Sequence, residues 1–287
     1  MTYSRRDFGK TALAGLPLSL ALGAKVNGVT LGVMTYSYRA LPQTPGIDRV
    51  DGQIEALKAN GSRDIELFEA EVQPPGKAED LDKWRRASQP DHFAAARKKL
   101  DAAGITTHAY TVNYKSVLTD EDLDRTFEQA KALGTNVIAA STQVTMAKRL
   151  APFAEKHKIY VAFHGHSNTR DPNEFATPES FQTALDSSKY FRINLDIGHF
   201  SAAGYDPVAY IREHHDRITH LHMKDRKKND GPNMPWGEGD TPIKQVLLLL
   251  KDKKYPIPAL VEYEYRGAGT PVEEVQKCLD YMRQAIA

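Results

Sequence analysis

At 287 residues, with 41% hydrophobic and 26% charged side chains, the chain has material for one large α/β domain or two small ones and is too apolar for disorder. Lys and Arg total 38 against 37 Asp and Glu, so a net charge of +1 offers no broad basic field for a phosphate backbone, and nucleic acid is not an expected partner. The single cysteine, Cys278, cannot form a disulfide within one chain; it falls in an amphipathic helical pattern and reads as a small buried hydrophobe.

The chain opens on Ser4-Arg5-Arg6-Asp7-Phe8-Gly9-Lys10, followed by a weakly apolar stretch from Thr11 to Ala24 broken by Gly15 and Pro17. Two adjacent arginines, a phenylalanine two places on and an apolar segment too short to span a bilayer resemble a bacterial twin-arginine export signal, although Gly9 stands where that pattern has an apolar residue. Residues 1–24 are expected to be this signal segment, and residues 25–287 one domain that is delivered folded to the periplasm without stable membrane insertion.

From Val29 onward, short apolar or β-branched runs alternate with longer helical patterns, as in successive βαβ units. The predicted strands are Val29–Tyr36, Asp64–Glu69, Thr106–Asn113, Asn136–Thr142, Ile159–His166, Arg192–Phe200, Ile218–Asp225 and Pro258–Tyr265. The predicted helices are Ile47–Asn60, His92–Ala103, Asp120–Leu133, Met146–Lys156, Pro178–Leu185, Pro207–Arg212, Ile243–Leu250 and Pro271–Ile286. Gly61, Gly104 and Gly134 each follow a helix, where a left-handed cap is expected. Eight strands with intervening helices predict a (β/α)8 TIM barrel, since an open doubly wound sheet would normally stop at five or six. The long loops Val72–Pro90 and Arg226–Pro242 follow strands 2 and 7 and would cover the mouth of the site.

Barrel active sites lie at the C-terminal strand ends, and the ionisable residues concentrate there. Strand 5 ends in His164-Gly165-His166, strand 6 in Asp196-Ile197-Gly198-His199, strand 7 in His220-Leu221-His222-Met223-Lys224-Asp225 and strand 8 in Glu262-Tyr263-Glu264. Strand residues two apart share a face, so His220, His222 and Lys224 point together, as do His164 with His166 and Glu262 with Glu264. One such residue is ordinarily a surface or hydrogen-bonded group. Four adjacent strand ends would instead desolvate a cluster of charges at several kcal/mol per unpaired group, and a bound cation offsets that cost. Lys224 and Asp225 could equally form a local ion pair. His214 and His215 read as solvated, and His108 as either a pocket residue or a satisfied core histidine.

Together Leu195-Asp196-Ile197-Gly198-His199, His220 to Asp225, Gly237-Glu238-Gly239-Asp240 and Val261-Glu262 resemble the xylose isomerase-like TIM barrels, a superfamily of sugar phosphate isomerases and epimerases, inosose dehydratases and the endonucleases of AP endonuclease family 2. The resemblance spans essentially the whole chain after the signal. It implies one divalent ion, often manganese, held by residues of strands 5 to 8: Asp196, His222 and Glu262, with Glu264 as a rival for Glu262 and His199 as a substrate-contacting histidine. Where the epimerases of that family have a strand 5 glutamate that is ligand and base, this chain has His164. Imidazole also binds Mn, Fe, Co, Ni or Zn, so the expected ligand set is His164, Asp196, His222 and Glu262.

The implied chemistry is that of an isomerase or epimerase acting on a sugar or keto sugar through an enediolate; the alternative is a lyase or dehydratase performing β-elimination on a 3-keto-glycoside or inosose-like substrate. Glu262 or Glu264 would take a proton, and His166, His199 or Lys224 would return one. Without a second carboxylate base, two-face epimerisation is not expected. Export makes free sugars, keto sugars or glycosides better substrates than sugar phosphates. Trp236 could stack on a sugar ring or anchor its loop. The sequence leaves the oligomeric state open.

Overall fold

In the computed structural model, which describes residues 25–42, 49–72 and 90–287, the eight apolar runs pair as parallel strands and close in the order β1 to β8. The strands are β1 Leu31–Met34, β2 Asp64–Phe68, β3 Thr106–Asn113, β4 Val137–Ser141, β5 Tyr160–His164, β6 Phe191–Asp196, β7 Ile218–Met223 and β8 Ala259–Val261. Closure is made by β8 on β1, with Leu31 opposite Ala259 and Val33 opposite Val261. This is the (β/α)8 TIM barrel read from the strand count.

The helices among the described residues are α1 Arg49–Ala59, α2 Glu69–Val72, α3 Pro90–Ala102, α4 Asp120–Leu133, α5 Met146–His157, α6 Pro178–Leu185, α7 Ile197–Ala202, α8 Pro207–His214, α9 Ile243–Lys253 and α10 Pro271–Ala285. Local chemistry sets their ends. Thr119 and Asp122 form a reciprocal capping box on α4, Thr270 and Glu273 another on α10, where Pro271 starts the helix with its fixed φ. Gly61, Gly104 and Gly134 stand at φ 60°, 69° and 80°, the left-handed caps expected of them.

Strand side chains divide by parity. Val161, Phe163, Ile193, Leu195, Leu221, Met223 and Val261 face outward into the main core beneath the helices, fully or almost fully buried. Phe163 stacks on Phe175 at 4.6 Å and meets Phe191 edge-on at 4.9 Å, so truncating it would cost about 3–5 kcal/mol and loosen the strand that carries His164. The opposite parity faces the barrel axis. Ala109, Val137, Ala139 and Ala162 fill one side of that interior with a small separate apolar cluster, and the polar residues of β5 to β8 occupy the other.

Several strands are shorter than their apolar runs. The predicted strand 6, Arg192–Phe200, begins at Phe191 and stops at Asp196, because the Asp196 carboxylate caps the next helix: its Oδ1 accepts the His199 N–H at 2.7 Å. His166, Lys224, Asp225, Glu262 and Glu264 likewise lie just beyond the last paired residue of their strands. The helix α2 directly after β2 was not predicted. The signal segment 1–24 lies outside the described residues, as does most of the loop after strand 2. No helix among the described residues is long and apolar enough to cross a membrane.

Candidate active site

Parallel register brings four strand ends to one level: Asp196 pairs with His222, His222 with Leu260, and His164 with Asn194. One ligand atom from each of His164, Asp196, His222 and Glu262 falls within 4.8 Å of the others. All four residues are buried. Nδ1 of His164, Oδ2 of Asp196, Nδ1 of His222 and Oε2 of Glu262 are inaccessible and make no hydrogen bond of sound geometry. His222 Nδ1 lies 2.9 Å from Glu262 Oε2, and Lys224 Nζ lies 3.1 Å from Asp196 Oδ2 and 3.0 Å from Glu262 Oε2. Four buried ligand atoms converge on one point, held close by charge and without hydrogen bonds of sound geometry, which makes them a donor set that could hold a metal ion. Two imidazole nitrogens and two carboxylate oxygens fit one divalent ion such as Mn, Fe, Co, Ni or Zn.

Burial, reinforced by His222 and His166, keeps His164 neutral well below the usual histidine range. Burial also pushes the Asp196 carboxyl up to about 6, against the pull of Lys224. Burial opposes ionisation of Glu262, yet Lys224 and His222 hold its carboxyl well below the ordinary value. At His222 burial opposes the charge, and Glu66 and Glu262 outweigh it, raising the ring well above its usual range. Lys224 is raised likewise: Asp196, Glu262 and Glu264 overcome its burial.

Around this cluster lies a cavity of about 320 Å³. One wall is neutral, made by Met34, Tyr36, Phe68, Thr111, Asn113 and Ser141 from the first four strands. The other carries the ionisable groups. Glu264 sits 2.5 Å from Lys224 with a fifth of its side chain exposed, outside the four-residue cluster. His199 lies between two cations, Nε2 3.1 Å from Lys224 and Nδ1 2.5 Å from Arg226, and burial with those charges keeps its ring neutral. His166 Nδ1 lies 2.6 Å from Glu174.

Lys224 and Asp225 diverge: Lys224 turns into the cluster, while Asp225 holds the loop after β7, Oδ2 accepting from the Gly237 and Gly239 amides at 2.8 and 3.0 Å and Oδ1 from Thr241 at 3.2 Å. A Cβ on Gly239 would stand 1.9 Å from Asp225 Oδ1, so that contact requires glycine. Trp236 anchors the loop, edge-on to Tyr281 at 5.9 Å, away from the cavity. His108 lies 2.7 Å from Asp64 and does not line the cavity. His215 is exposed and His214 half-buried, while Cys278 is buried in α10.

Sequence reasoning missed Glu66, Ser167 and Arg226. Arg226 donates to Ser167 Oγ at 2.7 Å and fixes His199 from behind. Glu66 is fully buried beneath the cluster. Its signal was present, a carboxylate at an inward parity between Ile65 and Leu67.

The sequence profile of the xylose isomerase-like TIM barrel family matches residues 54–285. The chain belongs to that family. Among curated proteins it is 30% identical over 101 residues to the L-ribulose-5-phosphate 3-epimerase UlaE of Salmonella paratyphi A, covering 35% of this chain and 36% of the epimerase. It is 25% identical over 161 residues to the inosose dehydratase of Mesomycoplasma hyopneumoniae, covering 48% of this chain and 52% of the dehydratase. The chain thus matches between about a third and a half of the length of these curated relatives. Among solved structures it superposes on a sugar phosphate isomerase/epimerase of Parabacteroides distasonis with a TM-score of 0.63 at 19% identity, covering 89% of this chain and 94% of that one. It superposes on the probable 3-DHS dehydratase AsbF of Bacillus anthracis at 0.65 and 16% identity (88% and 99% covered). The corresponding values for the IolI protein with a zinc atom are 0.66 and 14% (90% and 98% covered). At these identities the likeness is one of fold.

Proposed function

We propose that this family member is a divalent-metal-dependent isomerase of a free sugar or keto sugar, working by proton transfer on one face of the substrate. The observation that carries the reading is the convergence of four buried ligand atoms, from His164, Asp196, His222 and Glu262, beside a cavity of about 320 Å³. A divalent ion at that point would supply Lewis-acid polarisation of a carbonyl and its neighbouring hydroxyl. Glu264, the cavity carboxylate outside the ligand set, takes the proton from the acidified carbon. Lys224, 2.5 Å from Glu264, holds that carboxylate in place and relays the proton to the neighbouring oxygen or carbon. Neutral His199, buttressed by Arg226, and His166 receive substrate hydroxyls. Asn113, Ser141 and the aromatic rings of Tyr36 and Phe68 provide the opposite wall.

A second reading, β-elimination by a lyase or dehydratase, draws on one specific observation: the strand 5 position holds His164, a neutral imidazole, and supplies no carboxylate for a second proton transfer. The partial similarity to an inosose dehydratase supports it as well. Product analysis with keto sugars and 3-keto-glycosides separates the two, since isomerisation conserves mass and elimination releases water or an aglycone. For the one-face chemistry common to both, His164→Glu is expected to keep bound metal but change product distribution, and His164→Ala to weaken metal binding and turnover together. Efficient two-face epimerisation by the wild type contradicts the proposal.

We also propose export. Arg5-Arg6 and the apolar segment behind it support delivery to the periplasm. Replacing both arginines by lysine is expected to leave the protein in the cytoplasm, as read by fractionation; unchanged periplasmic delivery contradicts the signal.

A further inference from the structure

Glu66 is the carboxylate the proposed chemistry does not use, and it is expensive. It is 0% exposed in the middle of β2, where an ionised group without partners costs several kcal/mol. Its partners account for it. Oε1 accepts the Thr111 hydroxyl from β3, and Oε2 lies 2.5 Å from His222 Nε2 and 2.7 Å from His220 Nε2, both on β7. The Asn194 amide of β6 closes the same space, 3.1 Å from His222 Nε2.

Glu66 and the two imidazoles could themselves be read as a second metal site. The spacing decides otherwise. Ligand atoms about 2.0–2.2 Å from one ion stand roughly 3 Å or more apart, whereas the 2.5 Å contact of His222 Nε2 with Glu66 Oε2 is that of a charge-assisted hydrogen bond; His220 Nε2, 2.7 Å from the same oxygen, is close without hydrogen-bond geometry. A carboxylate that can only accept forces the proton of the His222 ring onto Nε2. When the ring gives up one proton to bind a metal, Nδ1 is the nitrogen left with the free lone pair, and it is the atom that faces the cluster, 2.9 Å from Glu262 Oε2.

We infer that Glu66 is a positioning residue for the metal centre: by accepting from Nε2 of His222 while clamped by Thr111, it fixes that ring in the tautomer and orientation that make Nδ1 a ligand. The inference rests on the proposed metal centre. It extends that centre to the far side of the barrel interior, linking β2 and β3 to a ligand on β7. Carboxylate partners of metal-bound histidines are typically worth ten- to hundred-fold in metal affinity.

The test uses the full-length protein and cobalt alone as the probe, with affinity read by competition against a chelator and the ligand field read from the cobalt absorption bands. The wild type is expected to bind one cobalt per chain. Glu66→Gln is expected to bind about ten- to hundred-fold more weakly, with shifted bands, because the amide loses the charge and has one oxygen where Glu66 accepts from Thr111 and His222 through two. Thr111→Val, which leaves the carboxylate but removes its clamp, is expected to give a smaller loss in the same direction and decides the matter if Glu66→Gln does not fold. Unchanged affinity and bands in either folded variant overturn the role of Glu66 while leaving the metal centre intact. Two cobalt ions per wild-type chain, one of them lost in Glu66→Gln, overturn it in favour of a second site. No cobalt in the wild type overturns the metal centre and this inference together.

Discussion

Two aspartates near adjacent strand ends, Asp196 and Asp225, are almost equally inaccessible, 1% and 2% exposed, and yet they are built for opposite tasks. Asp225 is saturated: three backbone N–H groups of one loop point at its two oxygens. Asp196 is half satisfied. Its Oδ1 caps α7 through the His199 amide, while Oδ2 faces the cluster with only the charge of Lys224 beside it at 3.1 Å and no hydrogen bond of sound geometry. Burial thus leaves the Asp196 carboxyl pushed up to about 6. Burial alone does not mark function. A carboxylate whose oxygens are all held by one loop keeps structure together, whereas one held rigid at one oxygen and turned into a cluster of charges at the other could serve as a ligand.

The largest expected effect comes from removing the open aspartate. Asp196→Ala should abolish stoichiometric metal and turnover together, by more than the roughly 100-fold that an outer partner is worth, as read by metal analysis and sugar turnover on the same preparation. Retained metal in that variant would place the site elsewhere. The saturated aspartate should behave in the reverse way: Asp225→Ala strands three amides and should cost about 3 kcal/mol, lowering Tm by roughly 6–12 °C, while metal stoichiometry stays at the wild-type value. A smaller effect belongs to Asp124, whose oxygens meet His157 Nε2 at 2.6 Å and Lys156 Nζ at 2.7 Å. Its burial is slight and opposed, and those two partners hold its carboxyl below the usual range. A lowered carboxylate adds stability above its unfolded value near 3.9, and the gain is lost as pH falls through the folded value. Asp124→Asn should therefore destabilise by about 1 kcal/mol near pH 7 and by much less near pH 3, measured as urea midpoints.

Much of this was legible before the structure because the barrel makes strand parity and strand end into chemistry. Asp196 and Glu262 follow apolar runs, His222 alternates with Leu221 and Met223, and period-two alternation puts them on the inward face with His220. Parity could not separate Glu262 from Glu264, since both share it; in the structure Glu262 falls within the four-residue cluster, while Glu264 lies outside it, 2.5 Å from Lys224. Strand ends were overestimated for a physical reason: Ile197 and Phe200 continue the apolar run of β6, but the Asp196 cap turns them into a helix. Arg226 was illegible, a charged loop residue among others, because its contact to His199 depends on how the Asp225 anchor folds that loop. Glu66 was overlooked although its parity was visible, because its partners on β7 are 154 and 156 positions away and meet it only when the barrel closes.

The central claim, that the converging ends of His164, Asp196, His222 and Glu262 form one metal centre, is tested most directly by metal stoichiometry. Wild-type protein loaded with manganese, cobalt or zinc and exhaustively dialysed should retain one divalent ion per chain, and the Asp196→Ala and His222→Ala variants should retain none while keeping wild-type circular dichroism. A wild type that retains no ion, or folded variants that keep a full equivalent, would contradict it.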